Sequence, residues 1–161
     1  MFDIHEIRSR FPALTRTEGG QPVAYLDGPA GTQVPIPVIE ATTALYTEGV
    51  ANLGAGFGAS VVASEVTDAA RSAMADMFNG SPGEVVFGQN MTSLTFAVSR
   101  AIAAEWTQGD RVLITKLDHD ANRTPWIRAA RDHDVAVDEV GFDPVTGCLD
   151  PALVVAAITP R

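Results

Sequence analysis

The sequence predicts an α/β protein built on a parallel sheet covered by helices on both faces. Three observations carry that expectation. Strand-like and helix-like segments alternate between residues 84 and 158, the strand-like Val112-Leu113-Ile114 is a short apolar run suited to burial on both faces, and glycine, proline and Asx residues punctuate the junctions. Alternation at this spacing implies right-handed crossovers between parallel strands.

Each element follows from local pattern. Residues 3–10 suit a short helical arm, followed by a breaker region over 12–20 and a brief strand at 23–26 that ends at Asp27-Gly28-Pro29. Pro35 and Pro37 suit a helix entrance, because proline is tolerated in the first turn, and a loosely helical stretch follows over 38–48. A loop with three glycines occupies 52–58. Val66, Ala69, Ala70, Ala73 and Met77 then share one helical face, and Asn79-Gly80 stops that helix because both residues tolerate left-handed backbone.

After the Ser81-Pro82-Gly83 turn, residues 84–87 read as a first strand and 92–106 as a helix with Leu94, Val98, Ala101 and Ile102 inward. Gly109-Asp110 breaks the chain before the apolar strand Val112-Leu113-Ile114. A helix is expected over 122–134 with Pro125 near its start, then a third strand over 135–140. Asp143-Pro144 and Thr146-Gly147 are turn chemistry, and Asp150-Pro151 is a cap followed by proline that opens a last helix through Ile158. The alternation stops at Thr159-Pro160-Arg161, where a fourth strand is due, so the domain is expected to continue beyond this sequence.

Composition narrows the function classes. A net charge of −9 disfavours nucleic acid and anionic membrane surfaces as partners, since both are polyanions. No apolar run approaches the roughly 20 residues of a membrane span, and the opening Met1-Phe2-Asp3-Ile4-His5-Glu6 lacks the features of a signal peptide. Cys148 is the single cysteine, which excludes an intramolecular disulfide and suits a cytoplasmic protein.

Two constellations can carry chemistry. Phe87-Gly88-Gln89-Asn90-Met91-Thr92-Ser93 joins a strand to a helix, where unpaired backbone N–H groups favour phosphate. Asn90 or Thr92 acting only as a helix cap is the competing reading. Lys116-Leu117-Asp118-His119-Asp120-Ala121-Asn122 follows the second strand, at the carboxyl end where ligands of open α/β sheets gather. His119 there either stacks on a flat ring and moves protons or is a loop histidine held by its acidic neighbours. The Asp-His-Asp triplets at 118–120 and 132–134 suggest metal ligands, but a helix of about a dozen residues separates them by roughly 18 Å. No metal site is expected. The glycine loop lacks the lysine and spacing of a P-loop.

Taken together, these stretches resemble the cysteine desulfurase-like branch of the class V aminotransferase superfamily. Tyr25-Leu26-Asp27-Gly28-Pro29-Ala30-Gly31-Thr32-Gln33 is similar to the family's opening motif. The stretch from Glu84 to Leu94 is similar to its phosphate-binding turn, and Leu117-Asp118-His119-Asp120-Ala121-Asn122 with Pro125-Trp126 is similar to its histidine segment. The resemblance implies a three-layer αβα PLP-dependent transferase (fold-type I) large domain, truncated, with 1–22 as an N-terminal arm and 23–161 as the first half of that domain. It implies pyridoxal 5'-phosphate (PLP) as cofactor, with the phosphate held by the backbone of Met91 and the backbone and hydroxyl of Thr92. His119 matches the histidine that stacks on the pyridine ring, and Ala30 and Gly31 match the segment that approaches an amino-acid substrate. A homodimer is implied for the full-length protein.

The sequence also departs from the family pattern. Met91 stands where a threonine is usual, and Asp120 replaces a second histidine. Lys116 is the only lysine and matches no family lysine. The cofactor-anchoring lysine, the aspartate opposite the pyridine nitrogen and any persulfide-forming cysteine are therefore expected beyond Arg161, and this chain alone is expected to be inactive. A non-catalytic α/β module that binds a phosphorylated ligand or a partner chain is the alternative.

Overall fold

The computed structural model describes residues 2–160, and the chain divides into two compact units, Met1–Val85 and Val86–Arg161. In the first unit, α1 (Ile4–Ser9) starts where Asp3 accepts the His5 and Glu6 N–H groups. A 3-10 turn at Pro12–Thr15 leads into a minimal antiparallel hairpin, β1 (Thr17–Glu18) with β2 (Gln21–Pro22). Gly19 and Gly20 form its two-residue turn with φ of +57° and +80°, the torsions that suit the twist of paired strands and favour glycine. This corrects the strand expected at 23–26: among the described residues no strand pairs with that segment, and of its backbone groups the Val23 N–H reaches back, to the Arg16 carbonyl at 3.0 Å. The Gly-Gly signal placed the hairpin a few residues earlier.

Helix α2 (Ile36–Glu48) begins beside Pro35 and Pro37 and ends at Gly49, whose φ is +106°. Helix α3 (Gly58–Phe78) ends on Asn79 in left-handed backbone, φ 55° and ψ 42°, as its sequence predicts. The glycine loop before α3 is tied down by Ser60, which is fully buried. Ser60 Oγ donates to the Asn52 carbonyl at 2.6 Å and accepts from the Ala55 N–H at 2.9 Å. These bonds make the loop a fastened connector.

The strand expected at 84–87 does not form. Glu84 closes a 3-10 turn (Pro82–Glu84), where its carboxylate accepts from the backbone N–H and the hydroxyl of Ser81, both at 2.8 Å. Those bonds hold the Glu84 carboxyl below the usual carboxylate range. Val85 is extended, with φ −99° and ψ 122°, but no strand lies beside it among the described residues. A strand is defined by its ladder, and a ladder needs a partner.

The second unit holds α4 (Met91–Ala103), β3 (Arg111–Thr115), α5 (Thr124–Asp132), β4 (Ala136–Val140) and α6 (Pro151–Ala157). Strands β3 and β4 pair in parallel with Arg111 opposite Ala136 and Thr115 opposite Val140, and the Lys116 N–H extends the ladder to the Val140 carbonyl at 2.9 Å. Across the pair, the Arg111 guanidinium grips both Asp138 carboxylate oxygens at 2.5 and 2.6 Å, a forked geometry that holds the Asp138 carboxyl below its usual range. The core of this unit is Ala103, Ile114, Pro125, Ala129, Ala130, Val135 and Val140. Helix α5 packs on both strands, α6 packs on β4, and α4 packs on α5.

Candidate functional site

The N-terminus of α4 is both capped and open. Asn90, in extended backbone, accepts the Ser93 N–H through its side chain at 2.9 Å, and its carbonyl accepts the Leu94 N–H at 3.1 Å. Among the described residues, the N–H groups of Met91 and Thr92 and the Thr92 hydroxyl have no hydrogen-bond partner. Residues 91–93 are exposed. The cap uses the donor of Ser93 and leaves those of Met91 and Thr92 free, so capping does not exclude an anion at this end. Gly88 sits just before the helix because Leu94 packs against it: a Cβ there would lie 2.6 Å from Leu94 Cδ2.

The second set of residues follows β3. His119 is exposed and precedes a 3-10 turn (Asp120–Asn122), and its Nδ1 accepts the Ala121 N–H at 3.1 Å. Its neighbour Asp118 accepts from the Thr115 hydroxyl at 2.5 Å and from the Asn122 amide at 3.2 Å. The Thr115 hydroxyl first, then the Asn122 amide, hold the Asp118 carboxyl below its usual range, aided by the Arg123 charge. Asn122 accepts in turn from the Trp126 indole N–H at 3.3 Å, and Thr124 donates to Asp120 at 2.7 Å. A groove of about 440 Å³ opens between Thr115, Leu117, Asp118, His119 and Leu149. The 3-10 turn packs against α4 and α5, which brings the histidine segment and the phosphate-type turn into one unit.

Ala30 and Gly31 lie in the first unit, on a turn closed by the Ala30 N–H to the Asp27 carbonyl at 3.1 Å. They line a groove of about 400 Å³ with Tyr25, Leu26, Asp27 and Gln33, and the Tyr25 hydroxyl is fastened to the Ala13 carbonyl at 3.2 Å. Lys116 is exposed. No group of three or more His, Cys, Asp or Glu suited to a metal ion occurs among the described residues, and none of their helices is long and apolar enough to cross a membrane.

Sequence reasoning passed over the ties that hold the His119 segment. Asp118, Asn122 and Trp126 are spaced four apart, a pattern that brings side chains together on one helical face and was available as a signal.

The family model described as Aminotransferase class-V matches residues 24–161. A cysteine desulfurase from Cronobacter sakazakii is 37% identical over 128 residues, covering 78% of this chain and 32% of that protein. Among solved structures, the cysteine desulfurase CsdA from Escherichia coli superposes with a TM-score of 0.81 at 25% identity, over 100% of this chain and 40% of that one. The apo cysteine desulfurase from Thermococcus onnurineus NA1 gives 0.81 at 24% identity, over 95% and 37%. The chain thus spans about a third of the length of the curated relative.

Proposed function

Because the chain belongs to the class-V aminotransferase family and has the fold of fold-type I PLP enzymes, we propose that it is the N-terminal portion of a cysteine desulfurase-like, PLP-dependent enzyme acting on an amino acid. The observation that supports this reading most directly is the start of α4, where the donors of Met91 and Thr92 are uncommitted in the turn that resembles the family's phosphate-binding motif.

The donor set fits the cofactor's phosphate. Two backbone N–H groups and the Thr92 hydroxyl offer an anion three donors, and the partial positive charge of the helix end adds to them. Methionine at 91 supplies only its backbone, so the hydroxyl contribution rests on Thr92. His119 would face the pyridine ring, with Nδ1 committed to Ala121 and Nε2 left to hold or pass a proton. Ala30 and Gly31 are small enough to let a substrate approach the backbone, and a Cβ at Gly31 would meet nothing within 4 Å. When bound, PLP supplies an electron sink for negative charge developing on the amino acid's Cα.

In this reading 1–22 is an arm and 23–161 the first half of the large domain. The anchoring lysine is contributed by sequence after Arg161, the complete protein is a cytoplasmic homodimer, and this chain alone does not turn over substrate. The test is a comparison of PLP with pyridoxal, which lacks the phosphate. In the complete protein, with the anchoring lysine replaced so that only noncovalent contacts count, PLP is expected to bind at least tenfold more tightly, the worth of one charge-assisted hydrogen bond at its lower bound. Equal affinities would refute the phosphate assignment.

A further inference from the structure

We propose that Asn122 is the positioning residue for His119, fixing which ring nitrogen carries the proton. The inference rests on the reading of His119 as a cofactor-facing residue, but its geometry stands on the second unit alone.

The Ala121 N–H is an orphan donor at the start of the 3-10 turn, and it is satisfied by His119 Nδ1 at 3.1 Å. An imidazole nitrogen that accepts a hydrogen bond holds a lone pair, so the neutral ring carries its proton on Nε2. This arrangement lasts only while the turn keeps its shape, since the Asn122 N–H must also reach the His119 carbonyl, at 2.8 Å. Asn122 secures that shape from both sides. Its Nδ2 donates to Asp118 Oδ1 at 3.2 Å and its Oδ1 accepts from Trp126 Nε1 at 3.3 Å. Asp118 is held in turn by Thr115 at the end of β3, and Trp126 belongs to α5. Arg123 pairs with Glu139 of β4, a third anchorage next to Asn122 in sequence. The carboxamide meets both demands at 122, because a carboxylate partner needs a donor and an indole N–H needs an acceptor. Aspartate there would keep the indole bond and set two carboxylates against each other.

The deciding measurement is nitrogen-15 solid-state NMR of the histidine rings in the full chain without cofactor, which reads the rings whether the chain is monomeric or associated. His5 and His133 are separated from His119 by the spectrum of His119→Gln. His119 is expected to be mainly the Nε2–H tautomer. In Asn122→Asp the tautomer ratio is expected to fall about fivefold, the equilibrium worth of one neutral hydrogen bond. The swap Asp118→Asn with Asn122→Asp is expected to restore the ratio. In the swap the carboxamide, now at position 118, would accept from Thr115 and donate to the carboxylate at position 122, which in turn accepts from Trp126. An unchanged ratio in the single variant, or an unrestored ratio in the swap, would overturn the proposal. Should the single variant fail to fold, the swap decides alone. Since no PLP is present, a chain that binds no cofactor would sink the proposed function and leave this result standing.

Discussion

At Gly88 a Cβ atom would lie 2.6 Å from Leu94 Cδ2 and 2.7 Å from Leu94 Cγ, although Gly88 is not among the residues with positive φ. The constraint is thus the neighbour's side chain rather than the residue's own torsion angles. Gly88→Ala is expected to destabilise the second unit by about 1–3 kcal/mol, the cost of overpacking, and a denaturant melt would show it as a lower midpoint. Four residues on, Thr92 has a different kind of importance, since its hydroxyl bonds to nothing among the described residues and stabilises little. Thr92→Ala is therefore expected to leave the melt nearly unchanged while weakening phosphate or PLP binding by about tenfold, for a lost bond to a charged group of about 1.5–3 kcal/mol. Unaltered PLP affinity in the complete protein would remove Thr92 from the site. Stability and binding separate cleanly at these two positions.

Among the elements, the helix ends follow chemistry written locally. Asp3, Asn90 and Asp150 each accept backbone N–H groups at the start of a helix, and Asn79 closes α3 in left-handed backbone. A β-branched residue in that conformation is strained, so Asn79→Val is expected to cost about 1–2 kcal/mol and Asn79→Gly to cost less than half as much. Thermal melts of the two variants check the order, and a valine variant as stable as the glycine variant would contradict the strain argument. Local chemistry is also why these ends were legible in sequence, whereas the β3–β4 pair was legible from the alternation of strand and helix. The segment 84–87 was not. Its residues prefer extended backbone and Val85 adopts it, yet Val86 is 67% exposed and Phe87 52% exposed. Strand propensity measures fit to a half-buried pleated surface, and among the described residues no strand lies beside this segment to supply it.

For the whole molecule, the solvent-accessible area is 12204 Å² at a mass of 17.0 kDa. A compact monomer of that mass exposes about 7,700 Å², and even two separate halves of it about 9,300 Å². The excess therefore does not depend on how the two units are arranged. It is made up in part of large apolar side chains such as Ile39, Tyr46, Val66, Met77, Val98 and Ile102, each more than a third exposed. Uncovered apolar helix faces and open strand edges promote association. The purified chain is expected to scatter light as an oligomer and to show weak amide protection outside β3, β4 and α5. A monomer with cooperative protection across both units would contradict this.

By itself the sequence determined what depends on near neighbours: caps, turns, the places of the main helices and the three motifs in their order. The phosphate-type turn and the His119 segment were legible for that reason, since each is a short run whose donors and acceptors lie within a few residues. The inward face expected for the helix at 92–106 did not hold, since Val98, Ala101 and Ile102 are exposed. Only the tertiary structure decided that residues 84–87 stay unpaired, that Leu94 fills the space beside Gly88, and that Asp118, Asn122 and Trp126 lock the histidine turn. A ladder, a packing contact and a side-chain relay each need a partner held at a particular place by folding. The identity of that partner is not contained in the propensity of either residue alone.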